Sequence, residues 1–149
     1  MEIREVMTRS VVTAPVDAPV REVAELMRER SVGSVVLVDG GGSVTGLVTD
    51  RDLTVGVLAG GRDPAEPVSE HASTPVIGVA PGDDVSIAAR RMIEHGIRRL
   101  PVLEADTLVG IVALDDLAAR TGDSELAHQL TAQVAKTALP DFYFFDRGG

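Results

Sequence analysis

Gly46-Leu-Val-Thr-Asp-Arg-Asp-Leu53 is the stretch whose reading decides the fold. It predicts a short buried strand over 44–48 that runs straight into a helix. Thr49 stands at the N-cap position, and Asp52 follows three residues later. A hydroxyl, a carboxylate and the free N–H groups of a helix start therefore meet at one spot. Such a spot suits a phosphate beside a sugar diol, because a carboxylate only accepts and can take hydrogen bonds from two neighbouring hydroxyls. A plainer reading stands beside this one: Thr49 caps the helix and Asp52 closes an acidic form of the capping box.

Working outward, the same pattern recurs. Gly46, Val48, Asp52 and Leu53 match Gly110, Val112, Asp116 and Leu117. Upstream, Ala14, Pro15 and Asp17 match Ala80, Pro81 and Asp83, while Ala24, Met27 and Glu29 match Ala89, Met92 and Glu94. The spacing drifts only from 66 residues (Ala14 to Ala80) to 64 (Gly46 to Gly110). An internal repeat of this length means two copies of one supersecondary unit, each too small to bury a core alone.

Each copy reads as β-α-β-β-α. An extended piece comes first, over 10–13 or 75–79. A helix follows over 20–30, with Val20, Val23, Ala24 and Met27 on one face, and its counterpart spans 85–95 with Ala88, Ala89 and Met92 inward. Gly33 and Gly96 lie near the helix ends, where a left-handed cap favours glycine. Aliphatic strands at 34–38, 44–48, 100–103 and 108–112 suggest burial on both faces. Gly40-Gly-Gly42 forms a hairpin-like turn, and short helices at 50–58 and 114–120 close the copies. The domain reading is 1–62 for the first repeat, 63–120 for the second and 121–149 for a C-terminal extension. Between the repeats, Gly60 to Pro67 has the composition of a surface linker.

The extension has its own signals. Ser124 suits the N-cap of a helix carrying Leu126, Leu130 and Val134 on one stripe, ended by Pro140. All four aromatic residues follow in Phe142-Tyr-Phe-Phe145. This patch either folds onto its own domain or anchors into a partner subunit, where aromatics are enriched.

Composition narrows the function classes. A chain of 149 residues with 44% hydrophobic and 25% charged residues folds as one domain or two small ones. Its net charge of −9 argues against a broad nucleic-acid surface. Without cysteine there is no disulfide and no thiol catalysis. The N-terminus lacks the apolar core of a signal peptide, and no apolar run reaches membrane-spanning length. A soluble, cytoplasmic protein is expected.

The duplicated unit ending in Gly-hydrophobic-hydrophobic-Thr-x-x-Asp resembles the cystathionine β-synthase (CBS) domain pair, or Bateman module. The resemblance rests on Gly46 to Asp52, on His95-Gly-Ile-Arg-Arg-Leu-Pro-Val102 and on Gly110-Ile-Val-Ala-Leu-Asp-Asp116, in that order and at a constant spacing. It covers residues 1 to about 120. A short free-standing pair also looks like the small bacterial stress- or hypoxia-response CBS proteins. The resemblance implies an α/β (α+β) fold with two repeats about a pseudo-twofold axis, and two clefts that bind AMP, ADP, ATP or S-adenosylmethionine.

Carried onto this sequence, the resemblance furnishes one cleft well. Thr49 would meet ribose or phosphate, Asp52 the ribose diol, and Val76 and Ile77 would flank the adenine. Arg98, with Arg99 next, would meet phosphate, since guanidinium donors fork onto phosphate oxygens. The plain alternative for Arg98 and Arg99 is a strand-edge charge pair. The other cleft departs from the pattern. Asp116 is present and Val11 and Val12 flank, but Ala113 replaces the threonine, and Gly33 and Ser34 stand in place of the arginines. One good site per chain is expected. The resemblance also implies a homodimer and an effector protein that receives the signal.

The implied function is a non-catalytic adenosyl-ligand sensor needing no cofactor. The competing reading is an interaction protein with vestigial clefts that acts through dimerisation and its aromatic tail. No P-loop, dinucleotide fingerprint or nucleophile–base constellation is legible. His71, His95 and His128 show no metal-ligand spacing, and Arg90-Arg91 reads as a solvated helix face.

Overall fold

In the computed structural model, residues 1–74 and 76–122 are described, together with the helical residues His128 and Ala132. The expected tail features (Ser124, the Leu126, Leu130 and Val134 stripe, and the aromatic run) lie outside the described residues. The elements are β1 (Thr13–Pro15), α1 (Val20–Arg30), β2 (Ser34–Val38), β3 (Val44–Thr49), α2 (Asp50–Asp52), α3 (Val85–His95), β4 (Arg99–Glu104), β5 (Thr107–Ala113) and α4 (Leu114–Thr121). Single 3₁₀ turns sit at Ile3–Glu5 and Val68–His71. The α-turn of α2 runs on as a π-helix over Leu53–Leu58.

The chain forms two compact units that do not follow sequence order. One holds Met1–Arg9, Gly78–Leu103 and the described residues from Gly110 on; the other holds Ser10–Ile77 and Glu104–Val109. β4 and β5 form a hairpin sheet, whose Glu104–Val109 turn region is counted with the second unit and whose remaining residues belong to the first. Its turn residues Ala105 and Asp106 both have positive φ (49° and 67°), the geometry that matches a two-residue hairpin to strand twist. The N-terminal segment is bound to the first unit by paired bonds: Thr8 donates to the Ile111 carbonyl (2.8 Å), and Ile111 donates back (2.9 Å). The unit buries Ile3, Val6, Met92, Leu100, Val112 and Leu114.

In the second unit the sheet order is β1-β2-β3. β1 pairs parallel with β2 (Thr13 opposite Val36), and β2 pairs antiparallel with β3 (Ser34 opposite Thr49, Val35 opposite Val48). Val35 to Leu37 are all buried, as their unbroken aliphatic run predicts, and Ser34 is buried beside them. Asp39 Oδ1 accepts from the Gly41 and Ser43 amides and so shapes the glycine turn. α1 buries Val20, Val23 and Met27 against Val35, Leu37 and Val48. Its acidic first turn and basic last turn match the helix dipole.

Several sequence expectations need correction. Ala24 is exposed, and Leu26 joins the apolar face in its place. The left-handed cap of α1 is Ser31 (φ 54°), not Gly33, whereas Gly96 caps α3 as expected (φ 63°). Gly33 instead lies where a Cβ would stand 3.2 Å from the Asp50 carboxylate. Among the described residues the second copy lacks a full first strand, since the ladder there is a single bridge from Val79 to Val102. The first strand begins at Thr13 rather than Ser10, although the Val12 carbonyl already accepts from Val36. Arg91 is no solvated bystander: its guanidinium donates to the Gly78 carbonyl.

The π-helix has local causes. Thr54 turns its hydroxyl back onto the Asp50 carbonyl (2.9 Å), and Gly56 supplies little helix propensity. The Ala59 amide then reaches five residues back to Thr54.

Candidate functional site

Two strand-to-helix junctions, one in each unit, carry the residues singled out in the sequence. At the β3–α2 junction, Thr49 is extended (φ −113°, ψ 162°) and caps the helix. The Asp52 amide donates to Thr49 Oγ1 (3.2 Å), and the Thr49 amide donates to Asp52 Oδ2 (2.8 Å). The plain reading of this motif is thus realised as a reciprocal capping box. Asp52 is half-buried, and its Oδ1 has no hydrogen-bond partner among the described residues. One carboxylate oxygen orders the helix start while the other remains open to a ligand.

The junction is pinned from two sides. The Asp50 amide donates to the Gly33 carbonyl (3.0 Å), which fixes the helix start against β2. Ser73 and Leu47 exchange backbone bonds across β3 (2.9 and 3.4 Å). Val76 and Ile77 follow that crossing and are half-buried. Val11 and Val12 are half-buried in the same unit, and Val12 packs on its core, so its side chain already has a structural task.

The β5–α4 junction repeats this geometry with different chemistry. The Leu114 amide donates to the Arg98 carbonyl (2.9 Å), the counterpart of the bond from Asp50 to Gly33. That equivalence supports the sequence alignment that sets Arg98 and Arg99 opposite Gly33 and Ser34. The Ala113 amide donates to Asp116 Oδ2 (3.3 Å), but Ala113 has no hydroxyl to return the bond. Only half of the capping box forms.

Arg98, Arg99, Ala113, Leu114 and Asp115 line a recess of about 180 Å³. Arg98 is exposed and Arg99 half-buried, and neither has a salt-bridge partner among the described residues. Two unpaired guanidiniums beside the start of α4 favour an anion, although Asp115 on the rim opposes it. Sites for drug-sized ligands run from about 300 Å³ upward. The recess therefore has room for a phosphate-sized group and not for a whole nucleotide. A second hollow of about 240 Å³ lies along α1, with Glu22, Glu25 and Glu29 in its lining. Three carboxylates repel phosphate there.

The structure thus brings Thr49 and Asp52 together in one unit, and Arg98, Arg99 and the α4 start in the other. Sequence reasoning missed two contacts. Arg91 reaches Gly78, and His71, which shows no metal-ligand spacing to the other histidines, lies 3.2 Å from a Glu66 carboxylate oxygen. The second was legible only in part, because Glu66, Glu70 and His71 are close in sequence but only two of them share a turn.

Comparison with known proteins agrees with this architecture. A sequence profile of the CBS domain matches residues 3–58 and 68–121. The chain is similar to the CBS domain-containing protein YhcV of Bacillus subtilis (38% identical over 125 residues, 84% of this chain and 89% of that one). It is also similar to hypoxic response protein 1 of Mycobacterium tuberculosis (28% over 137 residues, 91% of this chain and 96% of that one). Among solved structures, a CBS domain protein from Pyrobaculum aerophilum complexed with AMP matches with a TM-score of 0.76 at 27% identity, covering 89% of this chain and 99% of that one. With both repeats matched, this chain belongs to the CBS domain family and carries two copies of the domain.

Proposed function

We propose that this protein is a non-catalytic sensor of an adenosyl ligand (AMP, ADP, ATP or S-adenosylmethionine) that passes ligand occupancy to an effector protein. The observation that carries this reading is the Oδ1 of Asp52, which lies beside a capped helix start and has no hydrogen-bond partner among the described residues, together with Arg98 and Arg99 at the other junction, which have no salt-bridge partner among them. The AMP complex of the Pyrobaculum relative supports the ligand class. In the proposal, Asp52 holds the ribose diol, Thr49 adds a hydroxyl, Val76 and Ile77 flank adenine, and Arg98 and Arg99 take phosphate. The arginines favour phosphorylated nucleotides over S-adenosylmethionine. Val11, Val12 and Asp116 would serve a weaker second site, because Ala113 supplies no hydroxyl. No cofactor is needed, and a cytoplasmic homodimer is part of the proposal.

Thermal unfolding with each of the four ligands tests it. A ligand at about a hundred times its dissociation constant adds roughly 2.7 kcal/mol. Asp52→Asn keeps a capping side chain but removes the charge. Hydrogen bonds to charged groups contribute about 1.5–3 kcal/mol, so this variant should bind on the order of tenfold to a hundredfold more weakly. Asp116→Asn should bind nearly as the wild type does. Absence of any shift with all four ligands overturns the sensor reading, and release of phosphate from ATP overturns its non-catalytic part.

One observation favours a second reading. Thr49 and Asp52 already satisfy each other, so the motif has a structural use without any ligand. An interaction protein acting through its tail then predicts no ligand shift, and loss of self-association when residues 140–149 are deleted.

A further inference from the structure

The segment joining the repeats holds a cluster that the ligand reading does not use. Glu66, Glu70 and His71 each offer one ligand atom, and these atoms all lie within 4.8 Å of one another. Glu66 Oε2 stands 3.2 Å from His71 Nε2. Two donors on a zinc ion at about 2.1 Å each, in tetrahedral geometry, stand roughly 3.4 Å apart. That pair therefore already has the spacing of ligands on one ion.

The imidazole sits in a built slot. Its side chain is only 7% exposed. A Cβ on Gly56 would stand 3.0 Å from His71 Nδ1, so the ring fits against a residue without a side chain. Gly56 lies within the π-helix, an irregularity often found at functional sites. The segment itself is fixed to α1: the Val20 amide donates to the Glu66 carbonyl (2.9 Å) and the Arg21 amide to the Pro64 carbonyl (2.9 Å).

Arg62 now balances the carboxylates. Its Nε donates to Glu66 Oε1 (2.9 Å), and its Nη2 lies 3.3 Å from Glu70 Oε2. The hydrogen bond from Arg62 is the main cause that holds the Glu66 carboxyl below its ordinary range, against the opposing effect of burial. Arg62 is half-exposed.

We propose that Glu66, Glu70 and His71 form a binding site for a divalent transition-metal ion, with Arg62 as the resident cation that the metal displaces. One imidazole and two carboxylates suit a borderline ion such as Zn²⁺ better than Mg²⁺ or Ca²⁺, which favour oxygen alone. Water completes the coordination. The site stands independently of the adenosyl ligand.

Titration calorimetry of the full chain with zinc chloride, without nucleotide, tests the proposal. The wild type should take one ion per chain. Glu70→Gln, a change at a half-exposed position that leaves the fold intact, should weaken binding by at least about tenfold, since even outer partners of a metal ligand are worth about 10–100-fold. His71→Ala should abolish it. Arg62→Ala should tighten it by about tenfold or more, because a competing positive charge a few ångströms away is removed. An ion-pair network without metal function predicts the opposite for Arg62→Ala: lower stability and no gain in zinc affinity. Cobalt substitution gives an independent readout, with visible absorption that appears in the wild type and is lost in Glu70→Gln. Zinc binding unchanged in both Glu70→Gln and His71→Ala, which places the ion elsewhere, overturns the proposal. So does the absence of zinc binding in both the wild type and Arg62→Ala.

Discussion

At the scale of single residues, a polar group matters through what its lone pairs already do. Asp52 divides its two oxygens between a helix start and an open side, whereas Asp116 meets an alanine that cannot return a bond. Asp84 is fully committed: its carboxylate accepts from the Ser86 amide (3.0 Å) and lies 3.4 Å from the N-terminal ammonium. Hydrogen bonds from Ser86, then the ammonium, lower its pKa from 3.8 to about 2. A depressed carboxyl pKa stabilises the fold above the unfolded value, and this contribution is lost as pH falls through the folded value. The stability difference between wild type and Asp84→Asn should thus be constant above pH 3.8 and vanish as the pH approaches 2. Thermal melts of both proteins across that window check the sign. A difference that grows toward low pH would contradict it.

At the scale of elements, the repeated glycine of the motif has a packing cause. Each β-hairpin is crossed by a segment that leads into the other repeat: Thr8 on Ile111 in one unit, and Ser73 on Leu47 in the other. Gly110 and Gly46 sit beside these crossings. A Cβ at Gly110 would stand 2.7 Å from Met7 Sδ and 2.9 Å from the Thr8 carbonyl oxygen, and that oxygen is fixed by a ladder bond. At Gly46 the nearest atom is Ala72 Cβ at 3.2 Å. Overpacking typically costs about 1–3 kcal/mol, so Gly110→Ala should lie in that range and Gly46→Ala below it, as read by urea denaturation. Equal losses would show that the crossing segment adjusts freely. The element order and most helix bounds were legible in the sequence, because amphipathic periodicity and caps act over a few neighbouring residues. Ser31 was not. A helix that ends without a glycine gives no signal for which residue takes the left-handed turn.

At the scale of the whole molecule, two copies of one scaffold carry complementary chemistry. One junction has the hydroxyl and carboxylate, and the other has the arginines. If Asp52 and Arg98 act on one ligand, their effects on binding are coupled. A double-mutant cycle with Asp52→Asn and Arg98→Ala on ATP affinity should then give an interaction energy of about 0.5–3 kcal/mol. Simple additivity would assign the two residues to separate sites. The arginines were legible as candidates because arginine pairs with phosphate geometry. That no carboxylate pairs with them among the described residues was visible only in three dimensions.

The sequence by itself determined the repeat, most of the order of strands and helices, most positions of the buried faces and the two strand-to-helix junctions. All of these arise from periodicity, propensity and capping between near neighbours. Only the tertiary structure decided which leading segment pairs with which hairpin, that Arg91 ties α3 to Gly78, and that His71 meets Glu66 in a slot left by Gly56. Those outcomes depend on how segments distant along the chain close their loops and share a core, and no local pattern encodes that choice.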